Sequence, residues 1–82
     1  MTTGTTVTWD PLPSDTDIQA MNIQSATMAS QGKTDNIPVK TWPNGEGNPP
    51  MVIVRQWTTP ADAQEWLTFV GTYNPQSAVI NS

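Results

Sequence analysis

The sequence has no cysteine and no histidine, and these two absences exclude most catalytic and metal-binding constellations. Without cysteine there is no disulfide framework, no thiolate nucleophile and no iron–sulfur cluster or cysteine-ligated zinc. Without histidine there is no imidazole to act as a general base or as a metal ligand. We therefore assign no catalytic residue, no metal ligand and no cofactor, and we expect a protein that is not an enzyme.

Basic residues are also scarce. The 82 residues include three Lys or Arg against seven Asp or Glu, which gives a formal net charge of −4. Because nucleic-acid binding depends on neutralising phosphates with Lys and Arg, we expect no direct contact with DNA or RNA. The longest apolar run, residues 51–54, is far shorter than a transmembrane span, and the first residues lack the pattern of a signal peptide. The sequence thus predicts a soluble chain with no membrane partner.

The chain changes character near residue 50. The first fifty residues hold six of the eight prolines, whereas residues 51–82 have the most continuous apolar patterning. Residues 51–58 are dense in β-branched and aromatic side chains and predict a strand. Thr59 followed by Pro60 predicts the start of a helix, and residues 77–81 predict a second short strand. We therefore predict a strand–helix–strand body over residues 51–82.

The core of this body is predicted from apolar spacing. Apolar side chains recur three and four residues apart along the predicted helix, as expected for a helix that buries one stripe. Gly71 is expected to end the helix, since glycine is common at helix C-termini. Asn74-Pro75 would forbid continuation beyond it. The predicted core residues are Val52, Val54, Trp57, Ala63, Trp66, Leu67 and Val70.

Residues 14–32 predict a thin amphipathic helix. Ser14, followed three residues later by Asp17, resembles a capping box. The buried stripe is expected to comprise Ile18, Met21, Ser25 and Met28, broadened by Ile23 and Ala26.

Residues 33–50 are interpreted as a Pro/Gly-rich loop that contains one extended piece, residues 37–42. We expect this piece to pair with residues 51–57 as an antiparallel hairpin, with Pro38 on the sheet edge, where a missing backbone N–H is tolerated. The fold class is therefore predicted to be α+β.

Residues 1–13 are predicted to form an extended arm, because Pro11 and Pro13 separate them from later elements. Trp9 and Trp42 have little local apolar cover, so they either complete the core or anchor the chain on another protein. Tryptophan is common at interface hot spots. The predicted partner-docking residues are Val7, Trp9 and Trp42.

Two polar clusters could be mistaken for ligand sites. Asp10, Asp15 and Asp17 lack the spacing of a calcium-binding loop, and we interpret them as acids near a helix N-terminus. The Gly-rich residues 44–48 precede two prolines and a strand, whereas a phosphate-binding loop precedes a helix. Neither cluster is predicted to bind a ligand.

The stretch RQWTTPADAQEWLTFV, residues 55–70, and a composition rich in Thr, Asn and Pro resemble small proteins of tailed bacteriophages. The resemblance implies a virion structural or assembly protein, such as a capsid decoration, neck or tail accessory, made in the host cytoplasm. Its partners would be other protein subunits of a large assembly, which can be homo-oligomeric. The alternative function is a small acidic inhibitor or modulator of a host protein.

Overall fold

The described elements follow one another along the chain in the order strand, helix, strand, strand, helix and strand. The computed structural model describes residues 2–34 and 39–81. Its elements are β1 (Thr3–Trp9), α1 (Asp15–Ser30), β2 (Val39–Thr41), β3 (Met51–Trp57), α2 (Pro60–Val70) and β4 (Ser77–Ile80), with a 3-10 turn over Gly71–Tyr73 after α2. The predicted α+β class is confirmed.

The four strands form one antiparallel sheet in the order β2-β3-β1-β4. Helix α1 connects β1 to β2, which flank β3, and helix α2 connects β3 to β4, which flank β1. Two interleaved units of this kind make the split β-α-β, or ferredoxin-like, arrangement. The predicted strand–helix–strand segment is therefore present, but its two strands are separated by β1.

Both helices begin where the sequence provides an N-cap. The hydroxyl of Ser14 accepts a hydrogen bond from the backbone N–H of Asp17 at 3.2 Å. The hydroxyl of Thr59 accepts one from Asp62, also at 3.2 Å, and Pro60 follows in the first turn of α2. Each cap satisfies a donor that the helix leaves free, so both predicted helix starts are confirmed.

Helix α2 ends at Val70 with Gly71 as its C-cap, as predicted. The chain then forms the 3-10 turn and reverses at Asn74, whose φ is 56°. On α1, Met21, Ser25 and Met28 are buried as predicted. Ile23 is exposed, and so is Ala26, because both lie on the side of α1 away from the sheet.

The antiparallel hairpin is present, since Lys40 of β2 lies opposite Ile53 of β3. The predicted edge residue Pro38 and its neighbour Ile37 lie outside the described residues. The loop after β2 turns at Gly45 and Gly47, whose φ values of 101° and 86° favour glycine.

Residues 3–9 do not form an arm. Strand β1 lies between β3 and β4 and pairs with both. Val7 and Trp9 are fully buried, and the Trp9 indole N–H donates to the Tyr73 carbonyl at 3.3 Å. The predicted arm is wrong because pairing on two sides stabilises a strand whose side chains, mostly Thr, are unremarkable on their own.

The helices cover one face of the sheet, and the core lies beneath them. Side chains alternate between the two faces of a strand, and on β3 the residues numbered odd are buried. Trp57, Ala63, Trp66 and Val70 are in this core as predicted, and Leu67 packs against it half-buried. The buried core comprises Val7, Trp9, Met21, Met28, Met51, Ile53, Trp57, Ala63, Trp66 and Val70.

Val52 and Val54 are not core residues, although their hydropathy predicts it. They are half-buried and lie on the face opposite the helices, whereas Arg55 lies on the covered face and is 3% exposed. The prediction is wrong because the register of β3 against β1, and not the hydropathy of each residue, decides which side faces the helices.

Candidate binding surface

The face of the sheet opposite the helices, here called the open face, carries no charge on any residue that the described strands contribute to it. Register defines its rows, because residues directly opposite one another point the same way. One row contains Thr41, Val52, Thr8 and Ser77, and the next contains Val54, Thr6 and Val79. The open face is therefore neutral and dominated by β-branched side chains.

A third row of the open face is closed by its own side chains. Gly4 is buried there because the Gln56 amide crosses it, and a Cβ on Gly4 would meet Gln56 Nε2 at 2.9 Å. The Thr2 hydroxyl donates to Gln56 Oε1 at 3.1 Å, and the Asn81 amide donates to the Thr6 hydroxyl. The accessible part of the open face is thus the two rows of Val, Thr and Ser.

Strand β4 is an edge of the sheet and leaves backbone groups unpaired. The Asn81 N–H donates to the Gly4 carbonyl, which lies opposite it, at 2.8 Å. Since alternate residues of an antiparallel strand repeat this bonding, Val79 also bonds to β1. Ala78 and Ile80 therefore direct their N–H and C=O groups away from β1, towards the free edge.

The side chains of β4 leave that edge unprotected. All four residues are exposed, with Val79 at 49% and Ile80 at 45%. Val79 points to the open face and Ile80 to the helix side, because they lie opposite Thr6 and Thr5. Natural edge strands are protected from pairing by short length, charge or proline; β4 is short, at four residues, but has neither charge nor proline. It is a template on which another strand can form.

The predicted docking residues do not come together on this surface. Val7 and Trp9 are in the core, so neither is available to a partner. Trp42 is half-buried just after β2, at the other edge of the sheet, with the Lys40 ammonium 5.9 Å from its ring centroid. Residues 77–81 are predicted as a short strand, but the position of β4 at the sheet edge is not, because it depends on the strand order.

Among the described residues, the charged side chains of the two helices and of β2 and β3 lie away from the open face. Lys33 pairs with Glu65 at 2.8 Å, and both are partly exposed. Asp15 and Asp17 lie in the first turn of α1, where they face the positive end of its dipole. In the described ranges no group of three or more acidic, His or Cys side chains is arranged to hold a metal ion. Neither α1 nor α2 is long and apolar enough to cross a membrane.

Comparisons with known proteins do not indicate a function for this chain. No protein-family model matches the chain, and no significant match is found among curated proteins or solved structures. The strand order is that of the ferredoxin-like arrangement, but this arrangement supports many unrelated functions.

Proposed function

We propose that this chain is a non-enzymatic interaction protein that docks on a larger protein assembly through the β4 edge and the adjoining open face. The supporting observation is that β4 is exposed along its whole length, uncharged and free of proline. In line with the sequence resemblance, the proposed assembly is a phage virion, with the chain as a capsid decoration, neck or tail accessory.

Docking would proceed by strand addition. A partner strand placed beside β4 takes the outward N–H and C=O groups of Ala78 and Ile80, which gives affinity, while exposed side chains give specificity. Val79 and Ile80 contact the partner from opposite sides of the new strand. Four residues bury less than the ~1,200 Å² of a stable interface, so the partner also covers the Val and Thr rows of the open face.

The test uses a proline that blocks only the outward side of β4. Ala78→Pro removes an N–H that points away from β1, so the ladder to β1 remains. Ala78→Val keeps that N–H and is the matched control. We expect the wild type and Ala78→Val to co-sediment with particles from the cells that make the chain. Ala78→Pro should stay in the supernatant with an unchanged melting temperature.

Two results would contradict the proposal. One is co-sedimentation of Ala78→Pro at the wild-type level. The other is a wild-type chain that sediments with no particle and elutes as a free monomer.

The alternative, an acidic inhibitor, needs acids gathered on one side. Because β1 and β3 run in opposite directions, α1 and α2 begin at opposite ends of the sheet. Asp15 and Asp17 are therefore distant from Asp62. The two functions differ in salt dependence, because charge steering weakens as salt rises. The affinity of docking should change less than about threefold between roughly 0.05 and 0.5 M salt. A collapse of affinity over this range would favour the inhibitor.

A further inference from the structure

A pocket opens between α1, α2 and the β2–β3 hairpin, on the opposite side of the sheet from the open face. Its free space is about 310 Å³ with the solvent at its open mouth included, so the enclosed part is smaller. Helix α1 contributes two residues, α2 one, and β2 and β3 one each from paired positions. The lining residues are Asn22, Ser25, Lys40, Ile53 and Trp66. A pocket of this size takes a ligand of a few heavy atoms.

Two polar atoms of the lining residues are buried without a partner. Ser25 Oγ and Trp66 Nε1 make no hydrogen bond in the described structure, and their residues are 4% and 1% exposed. The other two fully buried tryptophans are satisfied: Trp57 Nε1 donates to the Thr5 hydroxyl at 2.9 Å, and Trp9 donates to a carbonyl. Buried polar groups are nearly always paired, and neither atom has accessible surface in the pocket as it stands. A ligand that parts the lining side chains would give the Trp66 N–H and the Ser25 hydroxyl a partner.

The pocket also carries positive charge. Lys40 lines it and makes no ion pair with any described residue. Arg55 follows Ile53 by two residues on the same face of β3, and its Nε and Nη1 atoms are buried without partners. Burial lowers the pKa of the Arg55 guanidinium below its ordinary value. Among the residues that the structure describes, no Asp or Glu lines the pocket, and its one charged lining residue is Lys40.

We propose that this pocket binds a small carboxylate with a short apolar chain. An indole N–H and an ammonium group can only donate, so a ligand atom that pairs with the Trp66 N–H or with the Lys40 ammonium must accept. One accessible lysine matches one negative charge, and a charged acceptor makes the stronger hydrogen bond. The apolar chain of the ligand would contact Ile53 and the Trp66 ring.

The test follows the indole N–H resonance of Trp66 by NMR, assigned with Trp66→Phe, during titration with sodium butyrate. We expect a saturable shift with a Kd of about 1 mM, in keeping with so small a ligand. The uncharged n-butanol and sodium chloride should give none. Lys40→Gln should weaken butyrate binding at least about tenfold. The matched control Lys33→Gln, whose lysine pairs with Glu65 outside the pocket, should not.

Three results would overturn the proposal. No saturable shift would mean that water satisfies Ser25 and Trp66. An equal response to n-butanol would mean a merely apolar cavity. Equal weakening by Lys33→Gln and Lys40→Gln would mean a general effect of charge.

The carboxylate can come from a free small acid or from the end of a protein chain. An acetylated tetrapeptide ending in a free valine carboxylate, compared with its amide, separates these sources. Tighter binding of the peptide acid than of butyrate supports a protein end, and tighter binding of butyrate supports a free acid. Ala78→Pro should leave butyrate binding unchanged, so failure here is distinguishable from failure of the proposed docking function.

Discussion

The helix-covered face of the sheet and its open face take alternate residues from the same strands, yet the side chains on the two faces differ in polarity and in burial. On β3 the covered face takes Ile53 and also the cation Arg55, whereas the open face takes Val52 and Val54. A ranking by hydropathy would exchange Arg55 with either valine. Position in the strand therefore outweighs residue type here, because a one-residue slip would move every side chain to the other face.

Both exceptions to ordinary burial coincide with the proposed sites. The half-exposed Val52 and Val54 lie on the proposed docking surface, and the buried Arg55 lies beside the proposed carboxylate pocket. Local rules of folding are most often broken at functional sites, where stability is given up for binding. The comparison of the two faces can be tested by removing each in turn.

Deletion of residues 1–9 should have the largest effect, because β1 supplies the centre of both faces. Without it β3 and β4 lose their shared neighbour, and no two of the remaining described strands pair except β2 and β3. We expect loss of the cooperative melting transition and of tertiary NMR dispersion. A control with Thr6→Ser and Thr8→Ser keeps the backbone and should remain folded. A truncated chain that still melts cooperatively would show that residues 10–82 fold without β1.

Alanine substitutions at two adjacent residues of β3 should differ strongly in their cost to the free energy of unfolding. Ile53→Ala creates a cavity in the core and should cost about 2–5 kcal/mol of unfolding free energy. Val54→Ala, on the half-buried open face, should cost less than about 1 kcal/mol. Urea denaturation of both variants measures the difference. Equal costs would mean that something covers the open face in the isolated chain.

Two tryptophans of the covered face should differ in how much their indole N–H groups contribute to the stability of the fold. Trp57→Phe leaves the buried Thr5 hydroxyl without its donor, which should cost about 1–3 kcal/mol more than the lost ring volume alone. Trp66→Phe removes an N–H that has no partner and should cost less. The two rings lie 5.3 Å apart and share surroundings, so they are matched. A reversed order in thermal denaturation would mean that the Trp66 N–H is satisfied by water.

Arg55→Met should have the smallest effect and the opposite sign. Among the described residues no acid pairs with Arg55, so removing this buried cation should favour folding by about 1 kcal/mol, although the contact with the Trp57 ring at 5.3 Å is lost. Because the folded-state pKa of Arg55 is lowered, the unfolded state binds more protons only in strongly alkaline solution, where the stability of the wild type should rise with pH. Between about pH 5 and 9 the gain should therefore be constant. Denaturant midpoints across this range check it.

The sequence was sufficient for the parts of the fold that depend on local chemistry. Ser14 and Thr59 mark the helix starts, since a hydroxyl there captures a backbone donor within the same few residues. The hairpin of β2 and β3 follows from turn residues that lie between its strands. Strand β1 could not be predicted as central, because its partners lie more than forty residues away and its own side chains are mainly Thr.

Neither candidate site has a local signature. The residues of the pocket come from four elements, so no spacing in the sequence joins Ser25, Lys40 and Trp66. The one local signal is Ser25, a polar residue at a core position of α1 between Met21 and Met28. The β4 edge required knowledge of strand order, which long-range pairing decides.

The central place of β1 also has a consequence for synthesis of the chain. Its neighbours, β3 and β4, are made only after residue 50 and residue 76. At about 5–20 residues per second, the strand waits for several seconds on the ribosome with its backbone unpaired. Four of the seven residues of β1 are threonine, and none is charged. β1 is thus a strand that is made before both of its neighbours and can pair only after each of them has been made.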